Sequence, residues 1–150
     1  MRWSSHTTAP AVVVLAAAFL GAAPKHPAAA AACESLIDAR LPNTTITAAQ
    51  AITAGSFAPP GANPIGGLPP LCRVAGEIQP TSDSHILFEL WLPLQNWNGK
   101  FVGVGNGGFA GEQPFGSLAV QVRRGYAAAS TNTGHQALPG FDMARFAFGH

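Results

Sequence analysis

The sequence predicts the opening of an α/β sandwich, incomplete after its fourth strand and preceded by an export leader. Three observations carry that expectation. His85–Leu92 (HILFELWL) alternates with the period of a strand. Ser117–Arg124 suits a helix, is stopped by Gly125, and leads into the small apolar run Tyr126–Thr131. Ahead of both, Ala11–Ala23 (AVVVLAAAFLGAA) is an uncharged apolar run with Arg2 before it and small residues after it.

That first run is too short to cross a bilayer as a helix, and Ala28–Ala32 offers several A-x-A cleavage choices. Residues 1–32 are therefore read as a signal peptide, with an uncleaved anchor as the alternative. A lipoprotein site at Cys33 would want a Leu three residues earlier, and that place holds Ala30. The product is expected to be secreted or periplasmic, with no membrane association after cleavage. Cys33 and Cys72 are the only cysteines, and oxidising compartments pair them. Closing that loop of about 40 residues would stabilise the fold by roughly 4 kcal/mol on the chain-entropy model. Two free buried thiols are the alternative.

Residues 33–72 are read as an N-terminal extension, and 73–150 as the first strands of the domain. Cys33–Ile52 reads as a short helical or irregular opening. Asn43-Thr44-Thr45 is a glycosylation sequon, meaningful only in a host that glycosylates. In Pro59–Pro70 (PPGANPIGGLPP) eight of twelve residues are Pro or Gly, which predicts a connector and not a core element. Val74–Ile78 is a short strand. His85–Leu92 is a stronger one, with Ile86, Phe88, Leu90 and Leu92 on one face, Leu87, Glu89 and Trp91 on the other, and Pro93 ending it. A turn at Asn96–Gly99 leads to a third strand, Lys100–Val104. The helix Ser117–Arg124 turns Leu118, Val122 and Ala119 inward, and Tyr126–Thr131 is a fourth strand buried on both sides. A parallel pair joined by that helix requires a right-handed crossover. A finished domain of this kind contains further strand–helix units, so the chain is expected to be incomplete relative to its fold.

Composition excludes several functions. Of 150 residues only 10% are charged, 47% are hydrophobic, and the formal net charge is +1. Charge-driven disorder and coiled coils do not fit such numbers. Arg123–Arg124 is the only adjacent basic pair, which leaves no electrostatic footprint for nucleic acid. Two cysteines cannot build a Cys-based zinc cage, and the five histidines show no metalloprotease spacing. No cofactor or metal is expected in this chain.

The most informative stretch is Gly103-Val104-Gly105-Asn106-Gly107-Gly108-Phe109-Ala110-Gly111. Gly103, Gly105 and Gly108 match G-x-G-x-x-G. A dinucleotide site, however, wants a helix starting within the motif and an acid about 20 residues on. Here Pro114 and Gly116 delay the helix, and Ser130, Thr131 and Asn132 stand where the acid is needed. A plain flexible turn is a second reading. The third is an oxyanion loop, in which a glycine-rich segment after a strand presents a backbone N–H to developing negative charge, and the missing Cβ lets a carbonyl approach.

Leu71–Gly76 (LCRVAG), Trp91–Leu94 (WLPL), Asn96–Phe101 (NWNGKF), Gly103–Phe109 (GVGNGGF) and Arg124-Gly125-Tyr126 through Gly134-His135 occur in the order found in the tannase and feruloyl esterase family, which the chain resembles from about Cys33 to His150. The resemblance implies the N-terminal part of an α/β-hydrolase sheet from a secreted serine esterase that cleaves aromatic-acid esters of galloyl or feruloyl type. It also implies that Gly108 supplies an oxyanion-hole N–H, that Cys33 and Cys72 form an N-terminal disulfide, and that a lid domain outside this chain often binds calcium. Two departures qualify it. The family more often carries Asp where this chain has Asn132, and the G-C-S-x-G-G nucleophile elbow is absent. Ser56, Ser117 and Ser130 lack the glycines of a strained elbow, and His135 reads as a structural or solvated histidine. The expectation is a fragment of a serine carboxylic-ester hydrolase, inactive alone. A short exported binding protein or a gene remnant is the non-enzymatic alternative.

Overall fold

The computed structural model describes residues 26–108 and 111–136. The expected signal-peptide core at 11–23 and the chain beyond Gln136 lie outside the described residues. Helix α1 (His26–Glu34) runs across the expected boundary after Ala32 and continues into a 3-10 turn at Ser35–Asp38. Strands β1 (Thr44–Ile52), β2 (Ser56–Phe57), β3 (Ile65–Gly66), β4 (Leu71–Ile78), β5 (Ile86–Pro93) and β6 (Phe101–Gly103) follow, then helix α2 (Phe115–Arg123) and strand β7 (Ala127–Thr131). Five strands form one mixed sheet in the order β1-β4-β5-β7-β6, while β2 and β3 make a small separate hairpin. The pairings β1–β4, β4–β5 and β5–β7 are antiparallel; β6–β7, joined through α2, is parallel. This is the expected α/β architecture.

Both faces of the sheet are buried, and the register explains how. Leu71, Glu89, Trp91 and Ala128 face α2, where Trp91, Leu118, Ala119, Val122 and Ala128 close a core. Cys72, Val74, Phe88, Leu90 and Leu92 face the other way, toward α1 and the turn after it. The two-faced alternation in HILFELWL therefore holds residue by residue. Helix α2 ends in a Schellman motif: Gly125 N–H donates to Val122 O at 2.9 Å and Tyr126 N–H to Gln121 O at 3.1 Å. Gly125 has φ +80°, and a Cβ there would stand 2.8 Å from Asn96 O, so glycine is required twice over.

Two expectations are corrected. The stretch from Cys33 is helical only at its start, and Thr44–Ile52 is an edge strand pairing along the whole of β4. Its threonines and isoleucines carry strand propensity, which the intervening alanines disguised. A bulge at Thr47 shifts its register, since Ile46 pairs with Gly76 and Ala48 with Ala75. The Pro/Gly connector is also more than a connector. Leu68 is buried in the α2 core, with Ile65 and Phe57 packed against it. Leu68 N–H donates to Gly55 O at 2.9 Å, and the Arg123 guanidinium donates to Gly66 O and Gly67 O at 2.6 and 3.1 Å. Turns at Gly55, Gly61 and Gly67, all with positive φ, fold the segment down onto the helix.

Candidate active site

The glycine-rich loop leaves β6 at the end where β7 also terminates, because those two strands are parallel. Its first foot is fixed to β7: Val104 N–H donates to Ala129 O at 2.7 Å, and Asn106 Nδ2 to Thr131 O at 3.0 Å. Its far foot is fixed as well. Gln113 Nε2 donates to Leu87 O at 2.9 Å, and Gln113 Oε1 accepts from Ser130 Oγ at 2.7 Å. Gly108 stands between these feet with φ +58°, in the left-handed region that glycine enters at no steric cost. A Cβ built on Gly103, Gly105, Gly107 or Gly108 would meet nothing within 4 Å. The glycines of the loop's crown thus border open space, whereas Gly111 at its base is packed against His135.

Beside the far foot lies a cleft of about 570 Å³ on the α2 side of the sheet, lined among others by Arg73, Leu87, Glu89, Gln113, Phe115 and Asn132. Its floor holds a charge pair the sequence reading did not single out. Arg73 Nε donates to Glu89 Oε2 at 2.9 Å, and Arg73 Nη2 donates to Glu89 Oε1, making a fork-to-fork pair. Trp91 Nε1 donates to Glu89 Oε2 at 3.1 Å, and the guanidinium sits 4.8 Å from the centroid of the Phe57 ring. Arg73 and Glu89 are diagonal neighbours on adjacent strands. The signal available beforehand was an Arg near the start of β4 and a lone Glu inside the otherwise apolar β5.

The other singled-out residues are not brought into one catalytic cluster. Ser56 is exposed in β2, Ser117 is exposed on α2, and Ser130 is engaged with Gln113. Cys33 and Cys72 form a disulfide on the sheet face away from α2. Asn132 is buried, and its Oδ1 accepts from Leu87 N–H at 2.8 Å and Gly134 N–H at 3.0 Å. A carboxylate could accept the same two bonds, so the amide keeps the local hydrogen bonding intact. His135 packs on Gly111 and shares a hydrogen bond of 3.0 Å between its Nδ1 and Thr133 Oγ1. Among the described residues no group of three or more His, Cys, Asp or Glu could hold a metal ion.

A mixed α/β sheet here delivers a two-footed glycine loop at the end of a parallel strand. The family model described as Tannase and feruloyl esterase matches residues 72–150, and the chain belongs to that family. An uncharacterized esterase of Xanthomonas campestris pv. campestris is 42% identical over 93% of this chain and 24% of its own length. Feruloyl esterase C of Talaromyces stipitatus is 31% identical over 72% of this chain and 22% of its own. The crystal structure of feruloyl esterase B from Aspergillus oryzae superposes with a TM-score of 0.65 at 31% identity, covering 72% of this chain and 22% of that one. The chain thus spans about a quarter of the length of the relatives it matches.

Proposed function

We propose that this chain supplies the oxyanion loop and first strands of an exported serine esterase acting on aromatic-acid esters of the galloyl or feruloyl type. The observation that carries the reading is the loop's construction, with both feet bonded to β7 and its neighbours and the crown glycines facing open space. In the complete hydrolase a serine outside the described residues attacks the ester carbonyl, and the proton passes through a histidine. Negative charge develops on the carbonyl oxygen, and the Gly108 N–H meets it from a position fixed before substrate arrives. Preorganisation of that kind is what makes such a donor effective, because nothing has to reorient as the charge forms. The sequence carries no G-C-S-x-G-G elbow, so on this reading the 150-residue chain by itself does not turn over esters.

Export rests on the leader-like run at 11–23 and on a disulfide that suits an oxidising compartment. A transplant tests the catalytic role. The 150 residues replace the matching part of the Xanthomonas campestris esterase, and hydrolysis of methyl ferulate and methyl gallate is followed. The transplant is expected to be active, and replacing the Gly107–Gly108 peptide bond in it by an ester, which deletes the Gly108 N–H and adds no side chain, to lose on the order of 10²–10³ in kcat, the value of one oxyanion donor. An ester-substituted transplant with unchanged kcat would remove the Gly108 N–H from the reaction. Steady hydrolysis by the 150-residue chain alone would overturn its assignment as inactive.

A further inference from the structure

We propose that His135 is a positioning residue that sets the conformation of the glycine-rich loop by packing against Gly111, a role that bears on catalysis only through the reading of Gly108 given above. Gly111 is buried and has φ +61°. A Cβ on it would stand 2.6 Å from His135 O, 2.7 Å from Cδ2 and 2.9 Å from Nε2. Imidazole and backbone of His135 therefore form a wall against which only glycine fits. The same test finds nothing near Gly103, Gly105, Gly107 or Gly108, so among the glycines of this loop the close approach is confined to the far foot.

The wall is itself braced. Asn132 N–H donates to Leu87 O at 2.9 Å, and its Oδ1 takes Leu87 N–H and Gly134 N–H, fixing the turn to the central strand. Within that turn His135 N–H donates to Asn132 O at 3.3 Å, and Thr133 Oγ1 meets the imidazole Nδ1. Thr133 holds φ +59°, a conformation β-branched residues avoid and keep only where surroundings enforce it. The chain of contacts runs from β5 through Asn132 to His135, then to Gly111, three residues after Gly108. The loop's conformation is thus referred to the centre of the sheet and not to its own hydrogen bonds alone.

Backbone ¹⁵N relaxation on the full 150-residue chain tests this by reading the Gly105, Gly107 and Gly108 amides against those of β4, β5 and α2. In His135→Ala the order parameters of the loop amides are expected to fall by about a third, from the range of rigid backbone toward that of flexible backbone, while sheet and helix amides hold theirs. His135→Phe, which restores a ring edge at the wall, is expected to bring the loop amides back toward wild type. Gly111→Ala attacks the same contact from the loop side and is expected to shift the same amides. Loop amides unchanged in His135→Ala overturn the proposal. So does a uniform fall in order parameter across loop, sheet and helix, which would make His135 a residue of global stability. If the loop amides respond as expected while the Gly107–Gly108 ester leaves the transplant's kcat intact, the positioning role stands and only the oxyanion reading falls.

Discussion

The interior of the sheet and the crown of the glycine loop are built on opposite plans. Around β4 and β5 the side chains at the centre of the sheet are committed. Trp91 is fully buried, the Arg73–Glu89 pair is enclosed beside it, and a disulfide ties Cys72 to α1 on the other face. At the crown four glycines present backbone with no atom near the missing Cβ. Restraint there comes only from the feet, through Val104, Asn106, Gly111 and Gln113. Rigidity is thus concentrated where it holds the loop's ends, and space is kept where a substrate group has to fit.

Substitutions should reproduce that contrast as a gradient of stability. The largest loss is expected from Glu89→Ala, which leaves the Arg73 guanidinium buried without its carboxylate and the Trp91 N–H without its acceptor. Breaking a buried pair from one side costs about 3–5 kcal/mol, read as a fall in the urea midpoint; a midpoint near wild type would show that the pair is hydrated. Reducing the disulfide, or making Cys33→Ser with Cys72→Ser, is expected to cost about 2–4 kcal/mol. The check is a melting temperature that falls with reductant in wild type and no longer responds in the double variant. The smallest effects belong to the crown, where Gly105→Ala and Gly107→Ala should stay within about 0.5 kcal/mol of wild type. A large loss at either glycine would erase the contrast, since it would reveal packing at the crown that the structure lacks.

How much of this was legible beforehand followed from the range of each signal. HILFELWL announced β5 and both of its faces because strand alternation is local, and Gly125 announced the end of α2 because a C′ glycine acts within one turn. The loop itself was visible as a run of glycines. Its anchors were not, since Asn106, Gln113 and Ser130 are unremarkable polar residues until the β6–β7 pairing brings them together. Thr44–Ile52 was misread because alanine says little about strands, and its pairing with β4 crosses the whole Pro/Gly segment. Leu68 and Ile65 were misread for a related reason. Turn residues predict direction changes, but not which apolar side chain the turn delivers to a helix. The Arg73–Glu89 pair depends on a register between two strands, which neither strand encodes alone.

The bulge at Thr47 has a consequence for the solution behaviour of the chain. β1 is the outermost strand on its side and, at nine residues, the longest in the sheet. A straight edge of that length would offer a second copy a continuous row of amides and carbonyls to extend by edge-to-edge pairing. One extra residue between Ile46 and Ala48 interrupts that row and sharpens the local twist. An approaching strand that matches the amides on one side of the interruption is out of step on the other. The irregularity thus works against aggregation and leaves the pairing with β4, which absorbs it, intact.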